Sequence, residues 1–553
     1  MVNGVDKLVK ERAKKALKSI SLAMPFMRFS ALLFCLILSL DCTSQLQNIN
    51  VSGGVSFDGE PFLAVNPVNP QNMVIAWMGV TIVGGVKIWI KSKASFDGGT
   101  SWGSYNVQSH LAPTTHSADV SMCFRSDGTL FMSYIDYRQN PDSGDVIVSR
   151  SIDGGISWSV ISHAWSLSED TVKKPIDRPW IACDNSAGAN HGMLYMTTKP
   201  PSWVPAPNRP YLKTSVDSGA SWTAWRFVDT IGFLTGNLIQ APMGALTVTA
   251  GGALCIAYPS YLAVQSPVPE MYLAKSYDRG TSFQYHELIS NPVFAGDTNL
   301  KSGYRLAADP ADSLRLVFAY VGGQNGDADI FSCQSADGGV GWSAPVRVND
   351  DTISNGKHQD LVWAANNNSG KLVITWRDRR SGSGAGFYQP SDVYAAVSSD
   401  HGSTFGTNFL ISTVTAPFDS VLALDGNDFM SCSYSGDSIC ATWSDVRNGH
   451  LNIYFVKASD STGASTGVVE INSEEVEGLC LFYKPGENLL HVSIEKTFHD
   501  SELRIIDMQG RTLLRKKNPL RDEIFDCSNF AAGNYAVIYS GGKSEMKKFV
   551  VVR

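Results

Sequence analysis

The sequence predicts an all-β chain, a seven-bladed β-propeller followed by a small Ig-like β-sandwich, and three observations carry that expectation. An eight-residue pattern, Ser95-Phe96-Asp97-Gly98-Gly99-Thr100-Ser101-Trp102, returns five more times. Its aspartates, Asp97, Asp153, Asp217, Asp278, Asp337 and Asp400, lie 56, 64, 61, 59 and 63 residues apart. Between them run short β-branched and aromatic segments in alternation, and a repeat of this length holding four strands points to blades that pack on their neighbours until a ring closes.

In the first unit the strands read Pro61–Val65, Met73–Trp77 and Lys87–Ile90. The second strand recurs as an aliphatic run ending in an aromatic at Trp77, Tyr134, Tyr258, Tyr320, Trp376 and Trp443, with Leu194-Tyr195-Met196 in the third unit. That makes seven units. The seventh keeps its strands but has lost the eight-residue pattern, showing only Lys457-Ala458-Ser459-Asp460-Ser461. The ring closes on seven if Leu46 to Val55 supplies the outer strand of the last unit. Each pattern follows a strand and reads as a hairpin turn. Its Asp accepts backbone N–H groups, its Gly supplies positive φ and its Trp or Phe buries a ring, all of which is scaffold chemistry.

The pattern Ser-x-Asp-x-Gly-x-Ser/Thr-Trp resembles the Asp box, or BNR repeat, of the sialidase superfamily. The resemblance implies a propeller, with each box on the hairpin between the third and fourth strands, away from the active site. Sialidases have six blades, so six is the alternative count.

At 553 residues with 43% hydrophobic content the chain can bury a large core and hold more than one domain. A net charge of -7 with acids and bases interspersed, and no basic patches spaced by aromatics, excludes a nucleic-acid partner. The ten cysteines form no metal-binding spacing and no disulfide framework, so neither a metal nor a cofactor is expected. Cys432 with Cys440, and Cys480 with Cys527, are the pairs that can bridge; the other reading makes them small buried hydrophobes.

Residues 1–44 read as a signal peptide behind a basic extension: Met27-Arg28, an apolar run from Ser30 to Leu40, and small residues before Gln45. Met27 is the alternative start. The run is too short to span a bilayer, so no transmembrane segment is expected in the mature protein. Asp41 before Cys42 does not suit a lipid-anchor motif. Residues 45–467 then form the propeller.

After Gly467 the repeat stops, and residues 468–553 carry strands at Leu489–Ile494, Glu502–Asp507, Tyr535–Tyr539 and Lys548–Val552. Asn488-Leu489-Leu490-His491-Val492, Ile506-Asp507-Met508-Gln509-Gly510-Arg511, Phe530-Ala531-Ala532-Gly533-Asn534-Tyr535 and Lys548-Phe549-Val550-Val551 resemble the C-terminal sorting domain of type IX secretion. The resemblance implies export through the outer membrane by that machinery, removal of the tail, and release or attachment at the cell surface.

Candidate chemistry gathers where the chain enters each innermost strand and where it leaves each second strand. The first set holds Glu60, His116, Asp119, Asp177, Arg178, Arg305, His358, Gln359, Asp360 and Asp428; the second holds Asp136-Tyr137-Arg138, Asp378-Arg379-Arg380 and Asp445-Val446-Arg447. Guanidinium groups bind carboxylates in a fork and carboxylates accept sugar hydroxyls, so a glycan or glycoprotein ligand is expected. The sialidase resemblance implies Arg178, Arg305 and one of Arg138, Arg380 or Arg447 on a substrate carboxylate, Asp119 or Asp136 as the acid and Glu60 as the base, with Asp360 and Asp428 as further ligand contacts. Two pieces of that family's pattern are absent: its Phe-Arg-Ile-Pro stretch reads Glu60-Pro61-Phe62-Leu63, and its nucleophilic Tyr position reads Asn427-Asp428-Phe429-Met430. The rival reading of the Asp-x-Arg motifs is structural, with Arg138 tied to Asp145 and Arg380 to Asp392. His116 and His358 are candidate bases or hydrogen-bonding surface residues. Three functions follow: exo-sialidase-type glycoside hydrolysis, non-catalytic lectin or adhesin binding, and a protein-interaction platform.

Overall fold

The computed structural model describes residues 46–54, 57–81, 87–138, 144–166, 169, 177–199, 209–230, 245–260, 270–290, 303–418, 427–460, 479–484, 489–494, 501–507, 511–531, 533–541 and 543–551. The signal peptide and its basic extension lie outside them. The chain divides into two compact units at Gly467/Val468.

Among the described residues the first unit is built of strands without helix, in seven four-stranded antiparallel sheets. Sheet 1 runs Asp58–Val65, Met73–Thr81, Lys87–Ser95, Asn106–Val107; sheet 2 Thr115–Phe124, Leu130–Arg138, Gly144–Ser151, Ser159–Ser166; sheet 3 Asp177–Cys183, Leu194–Lys199, Tyr211–Ser215, Arg226–Phe227. Sheet 4 runs Ala245–Val248, Leu254–Ser260, Glu270–Ser276, Gln284–Ile289; sheet 5 Tyr304–Ala308, Leu316–Gly322, Asp329–Ser335, Val346–Arg347; sheet 6 Gln359–Asn366, Leu372–Asp378, Asp392–Ser398, Phe409–Leu410. Sheet 7 takes Ser431–Ser435, Ser438–Asp445 and Asn452–Ser459 from one end of the chain and Ile49–Asn50 from the other, with Ile49 opposite Phe455 and Asn50 opposite Tyr454. The first strands of successive sheets touch, and that of sheet 7 touches that of sheet 1, so the adjacency is cyclic.

All six copies of the eight-residue pattern share one geometry. The leading serine hydroxyl accepts the glycine N–H four residues on, at 2.9 Å for Ser95 and Gly99 and 2.8 Å for Ser276 and Gly280. The aspartate accepts the N–H four residues on, at 2.9 Å for Asp97 and Ser101 and for Asp400 and Thr404. Two consecutive residues hold positive φ, and the first of them is Ser218, Arg279 or His401 in three boxes. The second is always glycine for a packing reason: a Cβ on Gly99 would meet Phe455 of sheet 7 at 2.3 Å, and one on Gly280 would meet Leu212 of sheet 3 at 2.3 Å. The boxes therefore seat each sheet against the one before it.

Cys432 and Cys440 are unbridged and buried. Cys432 lies opposite Ala441 and Cys440 opposite Ser433, so their side chains leave opposite faces of the sheet and enter separate cores. Cys527 is likewise free, in the core of the second unit.

The second unit has two antiparallel sheets. One orders Leu479–Lys484, Leu489–Ile494 and Asp522–Asp526; the other orders Thr512–Lys517, Glu502–Asp507, Gly533–Gly541 and Lys543–Val551. Leu490, Val492 and Ile494 from the first meet Leu503, Ile505 and Val537 from the second in one core. Gln509 and Gly510 lie outside the described residues.

Candidate functional site

The first strands of sheets 1, 2, 3 and 6 carry a register break between Gly59 and Phe62, Ala118 and Ser121, Asp177 and Trp180, and Asp360 and Trp363. In each break one non-glycine residue takes positive φ: Glu60 at 56°, Asp119 at 56°, Arg178 at 52° and Leu361 at 55°. Asn427, at 56°, stands in the same relation to Phe429. Such backbone costs of order 1–3 kcal/mol per residue. Leu361 shows that the bulge belongs to the scaffold; what sits on it in the first three sheets is charged.

These bulges bring Glu60, Asp119 and Arg178 together with Asp177 and Asp428. Arg178 pairs with Asp428, Asp119 accepts the Arg178 N–H at 3.4 Å, and Glu60 accepts the Asp428 N–H at 3.2 Å. Lys199, in the second strand of sheet 3, holds Asp177 at 2.5 Å. Below the charges lies an aromatic layer: Phe62, Trp180, Trp363 and Phe429 meet at centroid distances of 5.3–6.3 Å, each two residues beyond its positive-φ position.

Burial and the like charges of Asp177 and Glu60 push the Asp119 carboxyl well above its ordinary range, and it hydrogen-bonds to Asp177. Burial opposes ionisation of Asp177 as well, yet Lys199 and Arg178 outweigh it and hold its carboxyl well below that range. Burial, then Asp119 and Glu60, pushes the Tyr137 phenol up to about 12. Arg178 resists deprotonation because Asp428, Asp177, Asp119 and Glu60 outweigh its burial. Two neighbouring carboxyls are thus pushed in opposite directions, Asp119 toward its protonated form and Asp177 toward its ionised form.

Other residues of the sequence-derived set are held elsewhere. Asp136 is fully buried and accepts from His110 at 3.0 Å, the Thr115 hydroxyl at 3.0 Å and the Leu111 N–H. Asp360 is gripped by Arg377 at 2.6 Å and Arg379 at 3.1 Å. Arg380 pairs with Asp378 at 2.9 Å and Asp350 at 2.7 Å, and Ser381 rather than Arg380 reaches Asp392. Arg447 pairs with Asp445 at 2.6 Å. Arg138 is exposed, and Asp145 pairs with His163 at 2.7 Å.

The ties expected of Asp-x-Arg, Arg138 to Asp145 and Arg380 to Asp392, are not formed; in sheets 6 and 7 the arginines pair instead with the aspartates of their own motifs. Trp376 donates to Asp378 at 2.7 Å and Trp443 to Asp445 at 2.9 Å; the following arginines, Arg380 and Arg447, lie 4.2 Å over Tyr394 and Tyr454. Arg305 lies over Trp363 at 4.3 Å. His116 accepts the Ile88 N–H at 3.3 Å, and burial lowers its pKa. The arginine triad expected from the sialidase resemblance is not assembled, because Arg178, Arg305, Arg380 and Arg447 each have a separate local partner.

Lys199 and the aromatic layer escaped sequence reading. The layer had a signal: an aromatic two residues after Glu60, Arg178, Leu361 and Asn427. Lys199 had none, because its link to Asp177 is a cross-strand pairing.

Among curated proteins no relative matches the chain. Similar solved structures include an α-L-arabinanase of Penicillium chrysogenum complexed with arabinobiose, at 10% identity and TM-score 0.41, covering 76% of this chain and 99% of that one. A NanB sialidase variant of Streptococcus pneumoniae is similar at 12% identity and TM-score 0.38, over 74% of this chain and 70% of that one. PorZ, a surface component of the type IX secretion system of Porphyromonas gingivalis, is similar at 13% identity and TM-score 0.39, over 91% of this chain and 60% of that one. In the described residues no helix is long and apolar enough to cross a membrane. Residues 481–553 match the family of secretion system C-terminal sorting domains, the mark of proteins exported by the type IX machinery to the cell surface or released beyond it.

Proposed function

We propose that the first unit is a seven-bladed Asp-box propeller, that the sorting tail is an Ig-like sandwich, and that the exported protein processes an extracellular glycan at the mouth built by Glu60, Asp119, Arg178 and Asp428. The observation that carries this reading is the packing of Asp119 against the Arg178 N–H and beside Glu60 and Asp177, which pushes its carboxyl up while Lys199 and Arg178 push that of Asp177 down. Cleaving a glycosidic bond requires a proton on the leaving oxygen as the C–O bond breaks, and a carboxyl kept neutral at pH 7 is the group that supplies it. Asp119 takes that role. Asp428, with its side chain 26% exposed and ion-paired to Arg178, is the carboxylate open to water and to a sugar hydroxyl. Glu60 is only 3% exposed, so its part is to raise the proton affinity of Asp119 rather than to reach the ligand.

The charge at the mouth favours a neutral sugar. Arg178 is matched by Asp428, and Glu60 and Asp177 add negative charge, so a substrate carboxylate would meet no unmatched guanidinium there.

The test is hydrolysis of a panel of neutral aryl glycosides and a sialic-acid glycoside by the full chain, beside Asp119→Asn. Turnover of a neutral member, lost in the variant, supports the reading. Turnover confined to the sialoside overturns the substrate class. Absence of all turnover, with glycan-array binding that needs Arg178, reduces the mouth to a binding site.

A further inference from the structure

Beyond the aromatic layer, on the side where the Asp boxes lie, the first strands enclose a channel of about 660 Å³ open to solvent. Among its described lining residues one is charged, Arg305; the rest are apolar, hydroxyl, thiol or amide side chains. Arg305 occupies the level that holds aromatics in neighbouring sheets. It lies opposite Ala319 as Trp363 lies opposite Thr375 and Trp180 opposite Thr197.

The Arg305 guanidinium is half-buried and faces the channel, and among the described residues it has no acidic partner; partial desolvation pulls its pKa down to about 10, which still leaves it charged at neutral pH. The facing Cys432 offers no counter-charge, because burial pushes its thiol up to about 12. The guanidinium stacks at 4.3 Å on Trp363 and 6.0 Å on Trp180, contacts that supply no counter-charge. That stacking also fixes the guanidinium plane, whose N–H edge is the part that binds a fork of two oxygens.

We propose that this channel binds a small oxyanion, a carboxylate or a phosphate, against Arg305, at a site separate from the mouth and reached from the Asp-box side. This site is independent of glycan processing: among the described residues Arg305 is an unmatched cation in an otherwise uncharged channel.

The test is titration of the full chain with inorganic phosphate, with succinate and with chloride at matched ionic strength, following tryptophan emission and Tm. Saturable binding of phosphate, succinate or both, beyond the chloride response, is expected, and the pattern identifies which oxyanion is taken. Arg305→Lys keeps the charge without the fork and should weaken binding at least tenfold; Arg305→Met should abolish it; the exposed Arg138→Met should leave it intact. If the unaltered chain responds to neither oxyanion beyond chloride, the proposal fails. Undiminished binding in a folded Arg305 variant overturns it equally, and should Arg305→Met not fold, the unaltered chain and Arg305→Lys decide.

Discussion

Arg178, on the bulge of sheet 3, pairs with Asp428, 250 positions further along the chain at the entry to sheet 7. No local rule predicts that pairing; it exists because first strands from distant parts of the chain converge. Arg178 is 8% exposed and faces three further carboxyl groups. Arg178→Met should therefore cost about 3–5 kcal/mol, since it leaves buried carboxylates without a cation. Arg178→Lys should recover part of this, as judged by denaturant unfolding near neutral pH.

Asp119 should set the alkaline limb of activity. In the proposed hydrolysis its working form is protonated, so kcat/KM should fall as pH rises through its raised pKa, and Asp119→Asn should lower turnover by about 10²–10⁴. Stability changes in the same direction. The folded state holds this proton more tightly than the unfolded chain, so as pH rises from the ordinary carboxyl value to the raised one the protein loses stability. Asp119→Asn removes that loss, and its Tm relative to the unaltered protein should improve between acid and neutral pH.

The two positive-φ positions of the eight-residue turn should respond differently to alanine. Gly99→Ala places a Cβ 2.3 Å from Phe455 at φ 90°, and should cost about 2–3 kcal/mol. Gly98→Ala, at φ 72°, meets first the movable ends of Gln71 and Lys457, and should cost about 1 kcal/mol. Thermal unfolding of the two variants makes the comparison, with mouth activity unchanged below Tm in both.

Closure of the ring should depend on Asn48. Its amide donates to Ile411 O at 2.9 Å, and its carbonyl accepts from Thr413 N at 2.7 Å and Arg447 at 2.9 Å. Asn48→Ala should cost about 1–3 kcal/mol by leaving these groups unmatched. Deleting residues 46–54 should cost more, because it also strips Ile49, Asn50 and Val51 from the edge of sheet 7. Calorimetry on both variants checks the order.

Removing residues 481–553 should stop export, with the protein accumulating inside the outer membrane, as cell fractionation would show.

The sequence by itself determined the repeat, the strands and the sorting tail, because each rests on local chemistry. A turn needs an oxygen for its N–H groups and a glycine where a Cβ would strike the next sheet, and these needs recur wherever the hairpin recurs. Alternation of side chains likewise marks a strand without reference to its neighbours. The composition of the mouth was legible for a related reason: Glu60, Asp119, Arg178 and Asp428 all stand at entries to first strands. Their partners were not. Tertiary structure decided that Asp136 serves a buried cap, that Arg380 and Arg447 serve their own aspartates, and that Arg305 belongs to the channel. It also decided that Lys199 and Arg178 favour the ionised form of Asp177 while burial and like charges favour the protonated form of Asp119. Ion pairing and burial depend on distances in space, and those arise only when sheets far apart in sequence meet around one axis.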